Sequence, residues 1–598
     1  MPIVTCSPQS AGAGEEPSGA HATEKAPQAC YSCRKQKRKC DKAIPACSLC
    51  SRMARRCDYS ETQPPPTAED IIGLQLKLVE LENRLDYTGA AAAAEATLPV
   101  SHTPQLLSRE SLWQSCPSTF PSAFFLDSRV YQWSGLMLPK PTSDIPHDVL
   151  SCIGSAEEIE QTVSDYFGDI HPWFPMTSRK LVTIVFPSWE AGSDVALLLL
   201  TMKLITSQPQ DGFTAAENFL YTASKSFAAL LEATGTTSLH YLQGLILIAL
   251  YEYGQGIYPP AWMTVGQCVR YAEFLGLPSY KDTNAALGPF LTPFQATWAE
   301  SEERRRVWWA VYILDKLVSL GSCKRPMCPE PLPTDLTPTD DRVWDSGEPA
   351  DSMQTTVASA AVKPQSPFAR LCQSALLVSR VLHHHAVTER HRLSGEHVDY
   401  NEFATLTDTT QNLHETLEAD FRACPASYFS LLPARCVAFS ASLNVHANYA
   451  YGDWLNCQLT TTGPWTDQEL TVKLTAQKNL QKIAAHVRDF ASNLFALLAQ
   501  DEDVVKTPPM VLDAVYAAAV TFLDMWKESG GGDVVAEGSL ETLRKCLIRL
   551  SGRWRRGREL LGILETRKMG YGLGDLGGVV SGCGSGSGIP LAIPSMGV

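Results

Sequence analysis

Six cysteines crowd into residues 30–57 at the spacing Cys30-x2-Cys33-x6-Cys40-x6-Cys47-x2-Cys50-x6-Cys57, two copies of C-x2-C-x6-C. The other cysteines are scattered along the chain, and ones such as Cys268 and Cys436 are most simply small core residues. The first residues lack the cationic start and apolar run of a signal peptide, and no stretch reaches about 18 uninterrupted apolar residues. A soluble, intracellular protein without membrane contact is therefore expected, and in a reducing compartment metal ligation accounts for the cluster better than disulfides. Zinc takes four tetrahedral ligands, and thiolates suit it. Six thiolates cannot make two separate four-ligand sites, but sharing two sulfurs between two metals restores the count, and the internal repeat supplies the near-symmetry. Two Zn2+ and six thiolates sum to a small negative charge, which neighbouring cations offset.

Those cations are abundant. Between Cys30 and Cys57 stand Arg34, Lys35, Lys37, Arg38, Lys39, Lys42, Arg52, Arg55 and Arg56 against a single acid, Asp41. The whole chain carries a formal charge of -14, so a small cationic module is attached to a large acidic body. Nucleic acid rewards positive surface, which assigns binding to the module and not to the body.

A chain of 598 residues with 44% hydrophobic and 19% charged residues is expected to hold at least two folded units with linkers. Residues 1–29 read as a disordered arm, 30–57 as the cysteine module, and 58–70, with Pro64, Pro65 and Pro66, as a stiff spacer. Over 71–87 the residues Ile71, Leu74, Leu78, Leu81 and Leu85 are spaced 3, 4, 3, 4, the a/d pattern of a short coiled coil that would join two copies. Residues 88–150 form a second linker. From 151 to 567 helix patterns dominate and strand signals are sparse, so an all-α body is expected. Within it Ser238 caps a helix that is apolar nearly all round, Gly254 to Pro260 break it, and Ala261 to Leu277 complete an αα-hairpin. Glu302 to Leu320 is another helix, and 326–366 a proline-rich, acidic insertion. The tail, 568–598, is glycine-rich and expected to be disordered.

ACYSCRKQKRKCDKAIPACSLCSRMARRCDY, read from Ala29 and including Pro45, resembles the DNA-binding domain of the fungal zinc binuclear cluster, Zn(2)-C6, transcription factors. The resemblance implies that Cys30 and Cys47 bridge the metals, that Cys33 and Cys40 complete one site, and that Cys50 and Cys57 complete the other. It further implies a short helix around Arg34 to Lys39 in the major groove, with Lys37 where the family reads a CGG-type triplet. Arg34, Lys35, Arg38 and Lys39 would contact phosphates, and Gln36 stands where another cation is often found. The body is similar to the regulatory domain of the same family, through YFGDIHPWFP from Tyr166, SLHYLQGLILIALYEYGQGIYPP from Ser238 and EERRRVWWAVYILDK from Glu302. The implied protein is a nuclear regulator of RNA polymerase II transcription, an activator more often than a repressor. Its partners would be double-stranded DNA, a second copy of itself and the transcription machinery.

Simpler roles are expected elsewhere. His171 and the pair Trp308 and Trp309 read as core, His383 to His385 as solvated surface, and Asp315 as paired with Arg305 or Arg325. No G-x-S-x-G, P-loop or dinucleotide fingerprint supports an enzyme with an accessory zinc module. Thiolate storage or redox sensing would not require the cations, the spacer and the heptads. Single-stranded RNA binding would require stacking aromatics, of which the module has only Tyr31 between its first and last cysteines.

Overall fold

The computed structural model describes residues 25–59 except 27 and 54, then 123–127, 144–179, 192–209, 214–277, 297–321, 324–347, 355–359, 365–394, 400–450 and 466–574. The expected coiled coil at 71–87, with Ile71, Leu74, Leu78, Leu81 and Leu85, lies outside these residues, as do nearly all of the spacer and most of both terminal segments. The chain divides into two compact units, Met1–Trp113 and Gln114–Val598.

In the first unit two five-residue helices repeat one plan: α1 (Tyr31–Lys35) has Cys30 at its N-cap and α2 (Ser48–Arg52) has Cys47. The first helix stops well short of Lys39, contrary to the span expected from the sequence. Lys37 takes a left-handed conformation at φ 52. The N–H groups of Lys37 and Arg38 turn back onto the carbonyls of Arg34 and Cys33 at 3.1 and 3.0 Å, closing the helix as a C-terminal cap does. The reversal leads the chain on to Cys40. The second half turns similarly, with the Arg55 N–H donating to the Cys50 carbonyl at 3.0 Å.

The second unit is helical, and among its described residues the β-structure is a single bridge between Leu336 and Thr356. Its elements are α3 (His147–Ile153), α4 (Ala156–Asp165), a π-helical turn (Tyr166–Ile170), α5 (Ser193–Thr206), α6 (Phe219–Ala233), α7 (Leu239–Gln255), α8 (Pro260–Phe274) and α9 (Trp298–Leu320). After α10 (Asp341–Ser346) follow α11 (Pro367–Ser394), α12 (Tyr400–Ala423), α13 (Tyr428–Ala450), α14 (Asp467–Leu497), α15 (Asp501–Val505), α16 (Met510–Glu528), α17 (Val534–Ser551) and α18 (Arg556–Gly574). One hydrophobic core runs through them from Val149 to Leu564. The hairpin read from the sequence is present as α7 and α8. Ser238 accepts from the N–H groups of His240 and Tyr241, and Gly256 ends α7 at φ 73. Every residue of α7 from Tyr241 to Gln255 is buried, which makes it the axis of the body.

The proline-rich insertion is stapled to α9 by charge. Glu302, fully buried, accepts from Arg306 Nε at 3.0 Å and from the Thr339 N–H at 2.8 Å. Arg306 donates on to Asp341 at 2.6 Å and to the Thr339 carbonyl at 2.7 Å, and lies 4.1 Å from the centre of the Trp344 ring. A buried guanidinium is tolerable because its donors and charge are matched there. Trp308 and Trp309 are core, as expected. Asp315 is not paired with arginine. Its partners are Lys316 at 3.3 Å and the N–H groups of Met327 and Cys328 at 3.0 and 2.9 Å, because the chain leaving α9 doubles back and presents backbone donors to it. Arg305 instead pairs with Glu302. The histidine triplet also divides: His383 is exposed, but His384 is buried against α13 with Nε2 2.7 Å from the Tyr449 hydroxyl.

The chain after α17 locks the core. Arg553 donates to the Ile205 and Ser207 carbonyls at the end of α5, Gln255 donates to the Arg553 carbonyl at 3.1 Å, and Trp554 donates to the Thr507 carbonyl at 2.7 Å. The Trp554 ring lies so close to Gly254 that a Cβ there would stand 2.4 Å from Cε3. Gly254→Ala should therefore cost on the order of 1 to 3 kcal/mol, seen as a lower melting temperature. Gly168→Ala, where nothing lies within 4 Å, should leave the melting temperature unchanged or raise it.

Burial lowers three histidines far below their ordinary range: His171, with the Arg179 and Arg306 charges adding to the effect, to about 3, and His414, with the His486 and Arg435 charges adding, and His446 each to about 4. Below about pH 6.5 the unfolded chain binds protons at all three sites while the folded chain does not, so stability is full above that pH and falls below it. Urea midpoints measured from about pH 7 to pH 5 should drop, each histidine contributing up to about 1.4 kcal/mol per pH unit.

Candidate metal centre and nucleic-acid interface

The two helices described in the first unit aim sulfur. Cys30 and Cys33 stand at the N-cap and in the body of α1, Cys47 and Cys50 occupy the same places on α2, and all four are buried. Their ligand atoms lie within 4.8 Å of one another. Cys30 and Cys47 are 3.7 Å apart, Cys33 and Cys47 3.8 Å, and Cys30 and Cys50 3.6 Å. These separations exceed a disulfide bond of about 2.05 Å. They match the edge of a tetrahedron of thiolates placed about 2.3 Å from a central zinc, roughly 3.8 Å.

The edge between Cys30 and Cys47 is common to two such faces, one reaching Cys33 and the other Cys50. Cys40 and Cys57 close the two ends. The Cys40 sulfur lies within 4.8 Å of that of Cys47, and the Cys57 sulfur accepts from the Cys47 N–H at 3.3 Å. Burial pushes the Cys47 thiol up to about 12 and raises that of Cys30 further. Apolar surroundings alone would keep both protonated, and a divalent cation in the cage supplies the counter-charge for thiolate. The donor set fits zinc.

Arg34, Lys35, Lys37, Arg38 and Lys39 are all exposed on the first half, and Arg34 donates to the Gln28 carboxamide at 2.9 Å. Three contacts were not legible as site features in the sequence. The Asp41 carboxylate accepts from the Ser48 N–H at 3.1 Å and from its hydroxyl, capping α2 from the other half, and this hydroxyl bond holds it below the usual carboxylate range. Ser32 Oγ donates to the Arg56 carbonyl at 3.0 Å, and the Tyr59 hydroxyl to the Ala43 carbonyl at 2.7 Å. Asp41 stands seven residues before Ser48, outside the N-cap position, so the first has no capping signal in the sequence. The other two have no local signal.

A model of the fungal Zn(2)-Cys(6) binuclear cluster domain matches residues 28–66, and one of the fungal specific transcription factor domain matches residues 163–403. "Transcription factor BOA15" of Botryotinia fuckeliana (strain B05.10) is 36% identical over 191 residues, 31% of this chain and 98% of that protein. The chain belongs to the fungal Zn(2)-Cys(6) transcription factors. Two further relatives are "Pigment biosynthesis transcriptional activator pigB" of Monascus ruber and "Citrinin biosynthesis transcriptional activator ctnR" of Monascus purpureus. The first is 24% identical over 39% of this chain and 43% of its own length, the second 30% identical over 24% of each. The match thus spans less than half of either relative.

This Zn(2)-Cys(6) factor is a DNA-binding regulator of transcription and not an enzyme, and its cluster domain binds two zinc ions. No helix among the described residues is long and apolar enough to cross a membrane. Because Asp41 caps α2 without being a thiolate, Asp41→Ala should loosen that cap and leave two zincs per chain at saturation. The loss should appear as faster metal release to a chelator.

Proposed function

We propose that this factor is an activator that binds paired CGG-type triplets as a dimer, in the nucleus, and recruits the RNA polymerase II machinery to genes of one biosynthetic pathway. In this reading Cys30 and Cys47 bridge the zincs, Cys33 and Cys40 complete one site, and Cys50 and Cys57 the other. The observation that carries the reading is the edge shared by the Cys30 and Cys47 sulfurs, each with a further partner from the opposite pair. A terminal ligand can be replaced by water at one metal, whereas a bridging thiolate serves both. Lys37, thrown outward by the left-handed turn that ends α1, is the base reader, and Arg34, Lys35, Arg38 and Lys39 are phosphate contacts. Support for the pathway role comes from relatives named as activators of pigment and citrinin biosynthesis.

A cluster that reads about three base pairs cannot select a genomic site alone, so a second copy has to supply the rest. The 3, 4 spacing of Ile71, Leu74, Leu78, Leu81 and Leu85 supports a parallel seam, and Pro64 to Pro66 a spacer that sets the gap between triplets. The body between 151 and 567 is the regulatory domain, separate from the DNA-reading unit.

Metal analysis of purified protein should give two zincs per chain. Cys30→Ala should lose more zinc than Cys33→Ala, and a ratio of one or four zincs in the unaltered protein would overturn the ligand assignment. Lys37→Ala should lower affinity for a CGG pair by about 1 to 3 kcal/mol while leaving affinity for random duplex nearly intact. Leu78→Pro combined with Leu81→Pro should abolish tight binding to the pair with zinc content unchanged. Persistence of a dimer in that double variant would refute the seam.

A further inference from the structure

The basic residues of the module do not all belong to its first half. Arg55 lies between α2 and Cys57, and its Nη1 donates across the module to the Gln36 side-chain oxygen at 2.5 Å. Two other bonds fix this arrangement: the Arg55 N–H donates to the Cys50 carbonyl at 3.0 Å, and Ser32 Oγ donates to the neighbouring Arg56 carbonyl at 3.0 Å. Gln36 is the residue that ends α1, and it stands in sequence between Lys35 and Lys37. The bond therefore carries a guanidinium from the second half of the repeat to the tip of the first.

Charge makes this placement unusual. The only acid between Cys30 and Cys57 is Asp41, and it is engaged by Ser48 on α2. A third cation has been brought to Lys35 and Lys37 by a neutral carboxamide, which positions it without cancelling its charge. Arg55 and Gln36 are both exposed, and the remaining N–H groups of the guanidinium fork suit an oxyanion. Like charges gathered on one small surface repel one another, and the arrangement becomes favourable when a polyanion is added.

We propose that Arg55 is a DNA phosphate contact, held on the reading surface by Gln36, so that both halves of the cysteine repeat contribute cations to one DNA face. This rests on the assignment of the first half as the DNA-reading surface. The role of Gln36 is positional, and that of Arg55 is contact.

The test uses the full-length zinc-loaded protein and random-sequence duplex DNA, with affinity followed from about 50 to 200 mM salt. Each phosphate neutralised contributes about 0.9 to the slope of log affinity against log salt. Arg55→Ala should bind severalfold more weakly at the lower salt and flatten the slope by about that amount, with two zincs per chain retained. Arg55→Lys should keep the slope. Adding Gln36→Lys to Arg55→Ala returns a cation to the same place and should restore the slope, which a purely structural tie between the halves would not do.

An unchanged slope in Arg55→Ala, alongside a flattened one in Lys35→Ala, would overturn the proposal and leave the DNA-reading surface standing. A slope near zero in the unaltered protein would overturn both. Failure of Gln36→Lys to compensate would show that the guanidinium does not act from the Gln36 position, and the proposal would fall.

Discussion

A folded segment needs something buried, and between Cys30 and Cys57 what is buried is sulfur. Among the described residues of the first unit the core consists of Cys30, Cys33, Cys47 and Cys50, with Cys40, Leu49, Cys57 and Tyr59 partly buried around them. Chains below roughly 40 residues seldom bury enough apolar surface to hold a fold and lean on disulfides or metals instead. Here the metal takes that part, and everything the module presents to DNA follows from it. The helices are five residues long, too short to persist in isolation. They start at a cysteine and end in a sharp turn because the next cysteine has to return to the same place. The outward projection of Lys37 is a by-product of that return.

The body works on the opposite principle. Its axis, α7, is buried on all sides, and buried polar side chains such as Gln243 and Glu252 take specific protein partners. Glu302, Arg306 and Asp315 are each matched by backbone groups or opposite charge. These matched pairs add less to stability than an apolar core of equal volume would, but they fix which segment lies against which helix. The insertion from 326 to 366 is held this way, and so is the chain around Arg553 and Trp554, which binds the end of α5 and the middle of α7. The region matched as the fungal specific transcription factor domain, 163–403, shares one continuous core with helices well beyond it, and Trp554 packs against Gly254 within it.

The sequence by itself determined the class of the protein. The spacing of six cysteines implied two metals with shared ligands, the local excess of cations implied a polyanionic partner, and the period of apolar residues implied an all-α body. Ser238 as a cap, the hairpin of α7 and α8, and the core positions of His171, Trp308 and Trp309 were all legible, because each depends on neighbours close in the chain. Tertiary structure decided what depends on residues far apart. It ended α1 before Lys37, because closing the metal cage outweighs helix propensity over a few residues. It gave Asp315 backbone donors and a lysine in place of an arginine, buried one histidine of a surface-like triplet, and joined Arg55 to Gln36. None of these can be read from periodicity, since each depends on where a returning chain happens to place a donor.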